Sequence, residues 1–190
     1  MSFLPDDGRT AMQRMLAGDP YIADAEINAS THRANRLAEE YHRLWLTDQP
    51  AARALLPELL GSVGEDVTIR PPLYVDHGKH LFIGEGTFIN FNCVALDVAH
   101  ITIGKHCQIA TNVQLLTPTH PLDHDARRAG VESAEPITIG DNVWLGGGVI
   151  VLPGVTIGDD TVVGAGSVVS RDLPSGVLAL GNPARVVKEI

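Results

Sequence analysis

A chain of 190 residues, 44% of them hydrophobic, has the material for a packed core, and its formal net charge of −9 argues against nucleic acid or an anionic membrane as partner, since either would need a basic face. It contains no run of 18 apolar residues, and Met1 to Arg14 carries acids and no apolar secretion core, so a cytoplasmic protein with no membrane span is expected. The two cysteines, Cys93 and Cys107, lack CxxC spacing and read as buried free thiols rather than a disulfide or zinc site.

Residues 1–62 read as a helical cap. Met12, Met15 and Leu16 form a short apolar face that ends at Gly18, and Ala34, Leu37, Tyr41, Leu44 and Trp45 recur at helical spacing. Asp48 is the expected N-cap of a third short helix, with Pro50 in its first turn, Leu55, Leu56, Leu59 and Leu60 inward and Gly61 as the stop, although Pro57 interrupts it.

From Val67 onward the period changes to six. Ile83, Ile89, Ala95 and Ile101 hold it, and Ile103, Ile109 and Leu115 resume it after a slip of two residues. Between Leu115 and Ile137 it fails, leaving an excursion at 116–136 stiffened by Pro118, Pro121 and Pro136; connections of that length usually have a function or are disordered, and the prolines favour function. Then Ile139, Leu145, Val151, Ile157, Val163 and Val169 follow in one phase, with glycine after four of them at 140, 146, 158 and 164. A six-residue period is too short for a helical repeat and fits a parallel β-helix, in which each short strand buries one face and turns at a small residue. Residues 63–190 are therefore assigned to that solenoid. Its tail at 171–190 is expected to fold back over the last coil, so that cap and tail cover the open ends of the stack.

Several residues could carry chemistry. His120 lies between Pro118 and Pro121, and a rigidly held imidazole can take a proton from an attacking hydroxyl near neutral pH. Trp144, between inward Val143 and Leu145, must point outward, where either a second subunit or a ligand covers it. Asn90, Asn92, Asp76 and Asp97 could hydrogen-bond a polyhydroxyl acceptor; equally, Asn90 could occupy its slot only because asparagine tolerates a left-handed backbone. The pairs His120 and His124, His100 and His106, and His77 and His80 raise a metal site, for which spacing alone is weak support, so none is assigned.

The segments from Ile139 to Gly146 and from Val163 to Val169 resemble the hexapeptide-repeat acyltransferases. Ala17-Gly18, Asn90-Phe91-Asn92, Thr119-His120-Pro121 and Gly181-Asn182-Pro183-Ala184-Arg185 resemble, more narrowly, the maltose and galactoside O-acetyltransferases. That resemblance implies a left-handed parallel β-helix assembled as a homotrimer with sites between subunits, acetyl-CoA as donor and a sugar hydroxyl as acceptor. It implies His120 as catalytic base, an oxyanion donor at the Gly147 backbone, and coenzyme contacts from Trp144, Gly147, Ala165, Ser170, Arg171, Arg185 and Lys188. Acceptor contacts carry over to Asp76, Asn90, Asp24 and Asp97, while His77 stands where the family usually has an aromatic residue.

Three readings follow from the sequence. The leading one is an acetyl-CoA-dependent O-acetyltransferase acting on a sugar or another small hydroxyl acceptor such as serine or an antibiotic. Its rivals are a metal-dependent hydratase of γ-carbonic-anhydrase type and a non-catalytic scaffold, which leaves the His-Pro loop without purpose. A trimer is expected because an isolated prism would leave Trp144 wet.

Overall fold

A computed structural model describes residues 3–190, so Met1 and Ser2 of the N-terminal stretch lie outside it. The chain opens with α1 (Ala11–Leu16), β1 (Tyr21–Ile22), α2 (Ala25–Thr47) and α3 (Gln49–Leu59). Each helix starts on a side-chain cap: Thr10 accepts from the Gln13 N–H, Asp24 from that of Ile27, and Asp48 from that of Ala51, satisfying amides that helical bonding leaves orphaned. Pro57 is accommodated inside α3. Ala34, Leu37 and Tyr41 of α2 and Leu56 and Leu59 of α3 join the core of the following coils and close that end of the stack.

The solenoid then winds through β2 (Ser62–Val63), β3 (Thr68–Ile69) and β4 (Leu73–Val75); β5 (Leu81–Ile83), β6 (Phe88–Ile89) and β7 (Cys93–Leu96); and β8 (Ile101–Ile103), β9 (Gln108–Ile109) and β10 (Gln114–Leu116). The excursion follows, with β11 (Pro118–Thr119), α4 (His124–Arg128) and β12 (Val131–Ala134). Winding resumes with β13 (Ile137–Ile139), β14 (Trp144–Leu145), β15 (Ile150–Val151), β16 (Thr156–Ile157), β17 (Val162–Val163) and β18 (Val168–Val169), and ends in the hairpin of β19 (Val177–Gly181) and β20 (Ala184–Glu189).

About six turns stack three parallel sheets. Register aligns Ile83, Ile103, Ile139 and Ile157 in one column, Ile69, Ile89, Ile109, Leu145, Val163 and Ala179 in a second, and Ala95, Leu115, Val151 and Val169 in a third. All these side chains are buried. The six-residue phase is thus one inward position per strand, three strands per coil. Glycine recurs at corners because coils approach there: a Cβ on Gly84 would lie 2.6 Å from the Gly104 carbonyl carbon and 2.7 Å from the Lys105 nitrogen.

Two local expectations need correction. Asn90 is not left-handed; Asn92, Asn112 and Asn142 are, with φ of 65°, 60° and 54°. The excursion is also not irregular throughout, since β12 is the central strand of a three-stranded sheet between β11 and β1. Two-residue strands carry no periodic signal, and β1 is held only by its distant partner. Both cysteines are buried and free. Among the described residues no helix is long and apolar enough to cross a membrane.

Candidate functional site

The two-residue slip in the sequence widens one corner of the early coils. Val63 pairs with Ile83 and Ile83 with Ile103, twenty residues per coil, whereas Ile139 pairs with Ile157 at eighteen. The extra residues form the corner segments Asp76 to His80 and Asp97 to His100.

Asp97 organises them from below. Its fully buried carboxylate accepts the N–H groups of Asp76 and His77, both at 2.9 Å, and of His80 at 3.1 Å. Burial raises its pKa, against the lowering effect of those amides. The His80 imidazole bonds the Asp97 carbonyl through Nδ1 at 2.8 Å and lies between the rings of His77 and His100, with centroids 5.0 and 5.7 Å away and planes tilted by 41° and 57°.

The excursion leaves the same corner. Thr119 and Ser133 share a 2.8 Å hydroxyl contact across β11 and β12, and His120 is the first residue past that pairing. On the other side of β12, Tyr21 pairs with Glu132 and its hydroxyl donates to Glu132 Oε2 at 2.8 Å. The result is a cleft of about 310 Å³ whose walls include His120, Asp76, His77, Glu132, Tyr21, Asn28 and Thr31. Burial, then the charges of Asp97 and Glu132, push Asp76 up to about 6. Burial, then His80, bring His77 down to about 4, and burial first of all raises the Tyr21 phenol. The arrangement offers an imidazole that can exchange a proton beside carboxylates able to accept from hydroxyls.

Other expected residues lie elsewhere on the single chain. Asp24 caps α2 and is absent from the cleft wall, which its neighbour Ala23 does line. Asn90, whose Oδ1 accepts from the Phe91 N–H at 2.8 Å, lies with Trp144, Phe88 and Gln108 along a second groove of about 200 Å³. Trp144 is 54% exposed and in register with Gln108 and Val162. Gly147 turns the corner after β14; its carbonyl accepts from Gly166, and its N–H has no partner among the described residues. Ala165 occupies the equivalent corner one coil on, Ser170 and Arg171 follow β18, and Arg185 and Lys188 lie on β20. These last five residues are exposed, and none of the three cations forms an ion pair among the described residues. Among those residues no group of three or more His, Cys, Asp or Glu is arranged to hold a metal ion.

Sequence reasoning missed Tyr21 and Glu132 as parts of the cleft. One precedes α2 and the other lies in the excursion, and only the pairing of β1 with β12 joins them.

Comparison with known proteins agrees with this architecture. Residues 136–171 match the family model for the bacterial transferase hexapeptide (six repeats), and residues 14–64 that for the maltose acetyltransferase hexapeptide capping motif. Nodulation protein L of Rhizobium meliloti (strain 1021) is 47% identical over 179 residues, covering 94% of this chain and 98% of that protein. The crystal structure of a maltose O-acetyltransferase from Clostridium difficile 630 superposes with a TM-score of 0.93 at 39% identity, covering 97% of this chain and 99% of the other. A galactoside acetyltransferase in complex with coenzyme A gives 0.92 at 37% identity, covering 96% and 92%. Six stacked coils, a helical cap and likeness over almost the whole length together make this chain a member of the maltose and galactoside O-acetyltransferase family of hexapeptide-repeat enzymes.

Proposed function

We propose that the protein transfers the acetyl group of acetyl-CoA directly to a sugar hydroxyl, with His120 as general base. The observation that carries this reading is the position of the His120 imidazole in a cleft lined by Asp76 and Glu132. In the step proposed, His120 takes the hydroxyl proton as the oxygen attacks the thioester carbonyl. The tetrahedral intermediate then collapses, its carbon–sulfur bond breaks, and the imidazolium returns the proton to the departing thiolate. Gly147 is the candidate oxyanion donor, since its N–H is unpaired among the described residues.

Asp76 receives an acceptor hydroxyl, and Asp97 acts beneath it through the corner it holds. Trp144, Ala165, Ser170, Arg171, Arg185 and Lys188 are assigned to the coenzyme, whose phosphates need cations, and Arg171, Arg185 and Lys188 supply them in the tail of this acidic chain. The His120 cleft and the Trp144 groove are separate in one chain. A complete site therefore calls for a second copy that brings its groove, with Asn90, to this cleft and leaves Asp24 at the rim. A homotrimer in the cytoplasm is the assembly proposed.

The test is His120→Ala, assayed by thiol release from acetyl-CoA over a panel of sugars, with coenzyme binding measured by calorimetry. Turnover should fall by ~10²–10⁴ as a general base is lost, while coenzyme affinity persists. Full activity in the variant would remove the assigned role. Light scattering at the monomer mass of 20.3 kDa would remove the trimer.

A further inference from the structure

We infer that His77 is an acceptor-specificity residue, whose Nε2–H donates a hydrogen bond to an oxygen of the bound sugar; this rests on the transferase reading above. His77 is 2% exposed, yet it lines the cleft that holds His120. Its Nδ1 lies 2.9 Å from Ser30 Oγ, and Nε2 has no partner among the described residues. No fully buried side-chain polar atom among those residues lacks a partner, so Nε2 keeps an opening, and the cleft provides it.

Two features set which proton the ring carries. Ser30 makes no other side-chain hydrogen bond among the described residues, so its hydroxyl is free to donate to Nδ1, and the tautomer assigned is the one in which it does so and the ring proton sits on Nε2. The carboxylates of Asp76 and Glu132 share that cleft and favour an N–H pointing into it. Burial and the neighbouring His80 keep the ring neutral, so it offers one donor and does not compete with His120 as a base at neutral pH.

Donors are scarce there. The Tyr21 hydroxyl is committed to Glu132 and that of Thr31 to the Ile27 carbonyl, so besides His120 the wall donors are His77 and the exposed Asn28 amide. Asp76 and Glu132 accept from sugar hydroxyls without distinguishing an acceptor that also presents a lone pair. A fixed, buried donor makes that distinction, because an acceptor lacking the matching oxygen leaves the N–H unpaired.

The experiment compares wild type, His77→Phe and His77→Gln on an acetylated sugar and its monodeoxy analogues, with melting temperature and the KM for acetyl-CoA measured alongside. The Phe ring keeps volume without the donor, and the Gln amide restores an N–H near the Nε2 position. In wild type, one monodeoxy analogue should show an acceptor KM raised ten- to a hundredfold. The Phe variant should show the same rise for the parent sugar, be indifferent to that one deoxygenation, and keep the acetyl-CoA KM unchanged; Gln should recover most of the loss. Should the Phe variant fail to fold, the wild-type and Gln profiles decide alone. Equal KM values across the deoxy series, or a Phe variant that still discriminates, would overturn the assignment. A wild-type protein that acetylates no sugar would remove the transferase reading and this inference with it.

Discussion

Replacing Asp97 with Ala should cost about 3–5 kcal/mol of folding stability. The carboxylate holds three backbone N–H groups of the corner at 76–80, from Asp76, His77 and His80. A hydrogen bond to a charged acceptor contributes ~1.5–3 kcal/mol, so the gross loss is ~5–9 kcal/mol. Burying the carboxylate is itself unfavourable, as its raised pKa records, and its removal offsets part of that loss. Asp97→Asn separates the contributions. The amide oxygen can still accept from Asp76 and His77, while its NH₂ group faces the His80 N–H, so about 1–2 kcal/mol should be lost.

Urea unfolding by circular dichroism, at one fixed protein concentration because the proposed trimer would add to apparent stability, should rank wild type above Asn and Asn above Ala with a common slope. Acceptor KM should follow the same order, since the corner carrying Asp76 and His77 loosens. An Asn variant as stable as wild type that had lost sugar affinity would refute this reasoning and make Asp97 a direct acceptor contact.

Asp76 gives a pH test. Its folded pKa of about 6 lies above the ordinary value of 3.8, so its stabilising effect is present below 3.8 and lost as pH rises through about 6. Asp76→Asn should therefore be more stable than wild type at pH 8 by about 1–2 kcal/mol, discounted for the open side of the cleft, and the advantage should vanish near pH 4 in urea titrations. Gly84→Ala places a Cβ against the backbone of the next coil and should lower stability by about 3 kcal/mol, whereas Gly148→Ala, with φ of 69° and no neighbour within 4 Å, should lose about 1 kcal/mol. Similar urea midpoints for the two would contradict the close-approach account. Trp144→Ala should weaken coenzyme binding at least tenfold, ~1.4 kcal/mol, by calorimetry with little change in melting temperature; unaltered affinity would take the indole off the coenzyme path.

The solenoid was legible because a repeated coil writes its inward position into the sequence at a fixed interval: Ile139, Leu145 and Val151 lie in three different sheets and share one phase. Outward Trp144 followed from the same alternation. The cleft was only partly legible. His120 was marked by its prolines and Asp76 by the family pattern, but Tyr21 and Glu132 are 111 residues apart, β1 has only two residues, and the four of β12 do not alternate. In sequence, hydrogen-bonding capacity and the family pattern suggest Asp97 as an acceptor contact, whereas in the fold its carboxylate accepts from Asp76, His77 and His80. Three amides converging on it from the preceding coil are invisible without coordinates.

The slip in phase and the site have one physical origin. In a coil of eighteen residues each corner is short enough for backbone amides to bond straight to the next coil, as Gly140 does to Ile157 and Gly146 to Val163. Two additional residues at one corner leave amides that reach no backbone partner above or below, and buried amides must be paired. Asp97 pairs those of residues 76, 77 and 80, and one coil later buried Thr117 plays the same part, accepting from the Ala99 N–H at 3.0 Å and donating to the Leu96 carbonyl at 2.6 Å. Side chains that replace missing backbone partners hold a corner open without loosening it. The excursion departs above that corner, so the widened turns form a rigid floor and β11 and β12 form the wall. Shortening the segment at 97–100 by two residues should restore the eighteen-residue coil and close the cleft. The measurable outcome is a folded β-rich protein with acetyl transfer abolished, and retained transfer would show that the widened corner is dispensable.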